Sequence, residues 1–393
     1  MTQKKSFVFI FTLLLMSFYS YAQVKEPAVN QENYLIQKIS HPGIMHNAED
    51  LASIKAHVNN GDEPWASAYQ KMLDWEGSPL NWTPTPFEHV HRDSYGANRL
   101  GDPEIGKDGE AAYCHALQWV VTGNKAHAEK TIEILNAWSR TLKTITGKDD
   151  NLVAGMIAQK YCNAAEIILH TYNNWPGKEV DQFKDMLLKV YYPLISNYYT
   201  NSMNSNGNWG LSMVNSVLAI AVFCDDVELF NNAIAHVMGT NVQPYSTFSG
   251  YIDAKTGQCQ ESGRDQGHSQ MGLGYLAAIS EIAWKQGIDL YSYLDNRLLH
   301  GFEYFAKYNL GEDVEYYNMY GKFKEVISEK SRGNYQPIFE RVYDHYVRIK
   351  HLQMPYTKQI VEQIRPEGFT SSMTSWGTLT GYHGEAYNSC PAD

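Results

Sequence analysis

Through most of this chain apolar residues return every three or four positions, and the stretches that keep this rhythm are cut by turns only a few residues long. That period suits a helix with one buried stripe and does not suit a strand, whose period is two. From Ala128 to Leu142 the stripe is Ile132, Leu135, Trp138 and Leu142. A second consists of Ile157, Tyr161, Ala164 or Ala165, and Ile168. In a third, Met213, Val217 and Ala221 run beside Val214, Leu218 and Val222, and Phe230, Ile234 and Val237 make a fourth. Thr122-Gly123-Asn124, Gly147 to Asn151 and Pro176-Gly177 carry the turn chemistry that separates the helices. Helix, short turn and helix, repeated, means antiparallel hairpins and an all-α class. The stretch from Asn241 to Gln260 is different. It holds Pro244, Gly250 and Gly257, with β-formers around Phe248 and Tyr251, and reads as a long functional loop. Beyond Tyr316 the pattern is too irregular to place elements, and too little chain remains for a C-terminal β-sandwich.

No linker or composition shift divides the 393 residues, so one domain is expected over 23–393. Ahead of it, Lys4 and Lys5, the apolar run from Phe7 to Phe18 and the small-x-small triplet Ser20-Tyr21-Ala22 read as a cleaved signal peptide over 1–22. A periplasmic or secreted mature protein is the expectation, with no later segment apolar enough to span a membrane. A formal net charge of −11 argues against nucleic acid and against an anionic membrane surface as partners. It leaves room for an anionic polysaccharide, which needs only a local cluster of cations in a cleft. The 28 Tyr and 9 Trp suit stacking on sugar rings or an aromatic core. Five scattered cysteines without C-x-x-C spacing support neither a disulfide framework nor a metal knuckle, and no cofactor is expected. Cys114, Cys162 and Cys224 read as small buried hydrophobes.

Three stretches concentrate chemistry. In Gln260 to Gln270, a helical backbone would put Glu261, Arg264 and His268 on one face. Gly263, Gly267, Gly272 and Gly274 crowd the same segment at roughly 1 kcal/mol each relative to alanine, which implies close approach of a backbone or a ligand. In Asn204 to Gly210, Asn208 and Trp209 stand just before an apolar helix, whose N-terminal N–H groups attract a carboxylate. The loop from His89 to Arg99 mixes His89, His91, Arg92, Tyr95 and Arg99, the makings of a cleft wall that holds carboxylates. No carboxylate at convincing spacing makes the two histidines a metal site.

Several blocks together resemble the alginate lyase superfamily of α/α-toroid polysaccharide lyases, and in particular polysaccharide lyase family 38. They are His41-Pro42-Gly43-Ile44, the stretch from Ala112 to Trp138 with Leu117, Trp119 and Asn136-Ala137-Trp138, then Asn208-Trp209 and Glu261-x-x-Arg264. The resemblance runs from about His41 to Asn309. It implies a ring of helical hairpins around a cleft, where an Asn and an Arg neutralise a uronate carboxylate while His and Tyr move protons. Asn208 matches the neutralising Asn, and Arg264 lies in the block that carries the Arg. Many relatives have an Asn-His pair where this chain has Asn208-Trp209, which leaves the base open. On the residues themselves, His268 is the leading base, because an imidazole titrates near neutral pH. Glu261 would orient Arg264. Tyr251 would return the proton, with Tyr304 and Tyr308 behind it. Substrate contacts are expected from Trp209, Gln260, His91, Arg92, Tyr95, Arg99, Tyr304 and Tyr308. The rivals are a glycoside hydrolase that pairs Glu261 with Asp265 or Asp253, and a non-catalytic glycan-binding protein.

Overall fold

The structure, a computed structural model, describes residues 34–201, 207–239, 244–318 and 325–384. The expected signal peptide and Cys390 lie outside them.

The described residues open on two helices, α1 (Ala48–Asn60) and α2 (Trp65–Leu73). Three short strands follow in part: β1 (His89–Arg92), β2 (Arg99–Leu100) and, later in the chain, β3 (Thr144–Thr146). The long hairpins then begin. Helix α3 (Asp102–Thr122) ends at Gly123, whose φ of +67° admits glycine readily, and Asn124 caps α4 (Lys125–Thr141) through its side chain. Next come α5 (Asp150–Thr171) and α6 (Gly177–Met186), which runs through a π-turn into α7 (Tyr192–Asn201). Helix α8 (Gly207–Cys224) returns as α9 (Val227–Val237), capped by Asp226. The short α10 (Phe248–Tyr251) precedes α11 (Gln266–Lys285) and α12 (Tyr293–Asn309). The chain closes with α13 (Glu340–Asp344), α14 (Pro355–Ile364) and α15 (Gly377–Gly381).

Helices α3, α5, α8 and α11 pack in succession as an inner layer, each buried on nearly every side. Helix α4 packs outside against α3, α9 against α8 and α12 against α11, each burying one stripe. A helix apolar all round belongs between layers, and an amphipathic one belongs outside. The expected stripes fall where they should: Leu135 and Trp138 in α4, Ile157 and Tyr161 in α5, Phe230 and Ile234 in α9 are all buried. Inner α5 and α8 touch closely because Gly155 leaves room for Ser212, and Ser216 Oγ donates to the Gly155 carbonyl at 2.7 Å. Among the described residues, the strands form only one small sheet of order β2-β1-β3, so the expected all-α toroid holds.

Two expectations change. The region around Phe248 and Tyr251 is a short helix, and its β-character is confined to one Ile252–Cys259 bridge. Helix α8 is long and apolar enough to cross a bilayer, contrary to expectation, but it is the most enclosed helix of the inner layer. The cysteines behave as small hydrophobes: Cys114 and Cys162 are buried, Cys224 is half-buried, and burial pushes all three thiols up.

Candidate active site

Because inner and outer helices alternate in direction, α3, α5, α8 and α11 all start at the same end of the ring. Every candidate from the three chemical stretches sits at or near that end. The small sheet lies over the starts of α3 and α5, since β2 runs into α3 and β3 into α5.

The start of α11 departs from the expected helical face. Gln260 to Arg264 form a turn, in which the Glu261 carbonyl accepts from Arg264 N at 2.8 Å and Asp265 N at 3.2 Å. Asp265 is extended and caps the helix, its carboxylate accepting from His268 N at 2.8 Å. Only His268 of the three stands on the helix. Glu261 and Arg264 still meet, at 3.3 Å, with Glu261 wholly buried and the Arg264 side chain 21% exposed. A buried carboxylate thus holds a half-buried guanidinium in place.

Asp265 does more than cap. His268 Nδ1 lies 2.8 and 2.7 Å from its two oxygens. Burial alone would raise the Asp265 carboxyl, but hydrogen bonds from the His268 side chain and backbone outweigh it and hold the carboxyl down at about 2. Asp265 is therefore a carboxylate at neutral pH, and Nδ1 must carry the proton that bonds it. The Nε2 lone pair of neutral His268 is then the basic one, on a ring 32% exposed. Sequence reading gave Asp265 only a hydrolase role. The missed signal was an aspartate three residues before a histidine at a helix start, where a cap is due.

Asn208 is deeper, at the start of α8 and fully buried. Its Nδ2 reaches Met271 Sδ at 3.4 Å, and Met271 stands one turn beyond His268 on α11. Its Oδ1 is buried without a hydrogen-bond partner, as is Nε2 of Gln260, whose Oε1 accepts from Gly207 N at 3.0 Å. A buried amide atom without a partner costs about 1–3 kcal/mol. Rotating the Asn208 amide by a half-turn offers N–H instead, at the loss of one weak N–H···S contact. Gln260 thus ties the start of α8 to the turn that precedes α11. It also occupies the first N–H of α8, so that group is not free for a carboxylate. Trp209 is half-buried against the core.

Other expectations are corrected. Tyr251 is fully buried, and its one hydroxyl proton is shared between the carbonyls of His268 and Ser269, both 3.1 Å away, so it is a packing residue rather than a proton carrier. The clustered glycines make room for protein: a Cβ on Gly272 would meet the Tyr251 ring at 1.9 Å, and one on Gly274 would meet Met373 Sδ at 2.6 Å. Tyr304 is buried with its hydroxyl on the Glu315 carbonyl, and Tyr308 lies beneath the Arg332 guanidinium, 3.9 Å from its ring. Neither presents a face to a substrate in the cleft.

In the loop, Tyr95 projects into solvent with 93% of its surface exposed. Arg92 lies 3.8 Å from Asp102 and 3.6 Å from Asp149, and Arg99 pairs with Asp102. The loop cations are therefore already partnered. His89 and His91 each bond a threonine of β3, Thr144 and Thr146. The charge of Arg92 also opposes the upward push that burial exerts on the Tyr275 hydroxyl of α11.

The segment after Tyr316 supplies a floor that sequence did not reveal. Lys160 Nζ, ion-paired to Glu110, donates to the Thr370 carbonyl at 2.9 Å, Tyr275 donates to the Ser372 carbonyl, and Thr374 donates to Gln159. Residues 370–374 therefore bridge α5 and α11, with α3 joined through the Glu110–Lys160 pair. The hydrolase rival loses its carboxylates: Glu261 is paired to Arg264, Asp265 to His268, and Asp253 accepts from Lys255 and Thr256 in its own turn.

The alginate lyase family profile matches residues 61–314. No curated protein sequence matches the chain. Among solved structures, an alginate lyase from Bacteroides ovatus is 15% identical over 87% of this chain and 99% of its own, with a TM-score of 0.59. Alginate lyase A1-III from Sphingomonas species A1 is likewise 15% identical, over 88% and 100%, with a TM-score of 0.63. A variant of that enzyme complexed with a tetrasaccharide is 16% identical, over 88% and 100%, with a TM-score of 0.61. At these identities the structures establish a shared fold, and the profile, spanning more than half of the sequence, adds the family: this chain belongs to the alginate lyases and is a polysaccharide lyase.

Proposed function

We propose that the chain cleaves a polyuronate, alginate or a related polymer such as glucuronan, by β-elimination, leaving 4,5-unsaturated uronate ends. The same reading carries the finer placement in polysaccharide lyase family 38 and a site of action outside the cytoplasm. A lyase must remove the C5 proton beside a carboxylate, and that carbon is hardly acidic while the carboxylate keeps its full charge. Stabilisation of the anion comes first and the base second. Arg264, oriented by Glu261, meets the carboxylate at the solvent-facing side of the site. Asn208 donates from the deeper side once its amide turns toward the anion. His268 Nε2 takes the proton and can return it to the C4 oxygen as the bond breaks.

The single observation that carries this reading is the Asp265–His268 pair beside Arg264. It provides a base with a fixed tautomer next to a cation, where a hydrolase would need two free carboxyl groups. Incubation with polymannuronate, polyguluronate or glucuronan should give ultraviolet-absorbing ends. New reducing ends without that absorbance would overturn the reaction type. Arg264→Ala should lower kcat/KM by on the order of 10²-fold or more with its helical signal intact; full activity in a folded variant would remove Arg264 from the reaction.

A further inference from the structure

At the far end of the ring from the active site, the last turns of α5 carry Glu166 and His170 one helical turn apart. Sixteen residues separate Asp150 from Glu166, which places this carboxylate about 24 Å from the start of the helix. His41, from the segment before α1, comes over the same spot. Its Nδ1 is 2.7 Å from Glu166 Oε1, and its ring stacks on that of His170 with centroids 4.5 Å apart. His170 Nε2 is 3.7 Å from Glu166 Oε2, and Asp225 Oδ1 is 3.7 Å from His41 Nε2. One ligand atom from each of His41, Glu166 and His170 falls within a 4.8 Å cluster.

A simple latch between His41 and Glu166 explains only part of this. The Glu166 side chain is 2% exposed, and its Oε2 is buried with no hydrogen-bond partner while Oε1 takes both His41 and Gly43 N. An unpartnered carboxylate oxygen is costly to bury, and it faces the second imidazole. Two imidazoles and a carboxylate form a donor set suited to zinc rather than to magnesium or calcium, which prefer oxygen. Zinc bonds of about 2.0–2.2 Å at the tetrahedral angle set donor atoms roughly 3.3–3.6 Å apart, so the partly exposed His41 ring must move out from Glu166 Oε1 while the His170 ring turns inward. Lys184 opposes a cation here, since its charge already disfavours protonated His170, but Glu166 and Asp225 together bring two negative charges.

We propose that His41, Glu166 and His170 form a structural zinc site, with solvent in the fourth position, clamping the segment before α1 to the end of α5. The site is remote from His268 and Arg264, so the clamp serves the fold and not the elimination.

The test uses the full chain, treated with a chelator and dialysed. Titration with zinc chloride should leave one zinc per chain after gel filtration and raise the thermal midpoint, and magnesium chloride should do neither. Cobalt(II) should give the intense visible bands of a tetrahedral site. His170→Ala, at a partly exposed position that tolerates truncation, should weaken zinc binding by roughly 100-fold or more and abolish the cobalt bands. It should leave lyase activity unchanged. A folded wild-type chain that retains no zinc and gives no cobalt bands overturns the proposal, and so does a His170→Ala variant that binds zinc as tightly as the wild type.

Discussion

Asp265 holds two things at once, the first turn of α11 and the Nδ1 proton of His268, and a substitution can separate them. Asparagine caps a helix about as well as aspartate, so Asp265→Asn should leave stability nearly unchanged. It cannot offer the imidazole a carboxylate, and kcat should fall about 10–100-fold with KM little altered. His268→Ala should cost more, on the order of 10²–10⁴-fold. Steady-state kinetics on one polyuronate checks both, and an Asp265→Asn enzyme of normal kcat would reduce the aspartate to a cap. Tyr251 gives the opposite test. Tyr251→Phe loses one buried hydrogen bond, shared between two carbonyls, and should cost about 1 kcal/mol of stability while most of the activity survives. A loss of activity without a loss of stability would restore the tyrosine to the chemistry. At this scale the sequence showed which residue types gather, namely Asn208, Glu261, Arg264 and His268. It could not show that Tyr251 points into Gly272 rather than the cleft, because a side chain's direction depends on what packs against it.

Among the elements, the outer helices were the most legible, because a helix with one buried stripe writes its period into the sequence. In α4 the expected Leu135 and Trp138 are buried, and in α9 the expected Phe230, Ile234 and Val237 are. The turn from Gln260 to Arg264 was missed for a local reason. Its residues suit helix and turn alike, and the cap at Asp265 decides between them. The floor at residues 370–374 was illegible for a different reason, since backbone carbonyls hold it and carbonyls leave no mark in a sequence. Its anchor is Lys160, buried with Glu110 and bonded to the Thr370 carbonyl. Lys160→Met should leave the Glu110 carboxyl without its partner in the core, a change that costs about 3–5 kcal/mol. Adding Glu110→Gln to it should recover part of that loss. Denaturant unfolding of the single and double variants decides: a Lys160→Met chain within about 1 kcal/mol of wild type would mean that the pair does not secure the floor.

On the scale of the molecule, the buried ionisable groups set a pH window for the fold. Burial lowers His46, His115 and His345 to about 3 and His236 to about 4, so the folded chain keeps them neutral where an unfolded chain would protonate them. Between the ordinary value of 6.5 and those lowered values, the unfolded state binds more protons, and stability falls as pH falls. Each such group contributes up to about 1.4 kcal/mol per pH unit. Glu367 runs the other way. Burial, and then the charge of Glu340, raise it to about 8, so its contribution is lost as pH climbs from 4.5 toward 8. Burial would lower His383, but its bonds to Asp344 and Asp50 outweigh that and raise it to about 9, and its stabilisation is lost between 6.5 and 9. From 4.5 to 6.5 the four histidines outweigh Glu367; above 6.5 Glu367 and His383 act together. The thermal midpoint should therefore peak near pH 6.5, falling steeply on the acid side and more gently on the alkaline side. Melts across a pH series at constant ionic strength check this, and a midpoint that stays level from pH 6.5 down to 4.5 would mean that the four imidazoles are hydrated rather than sealed inside the ring.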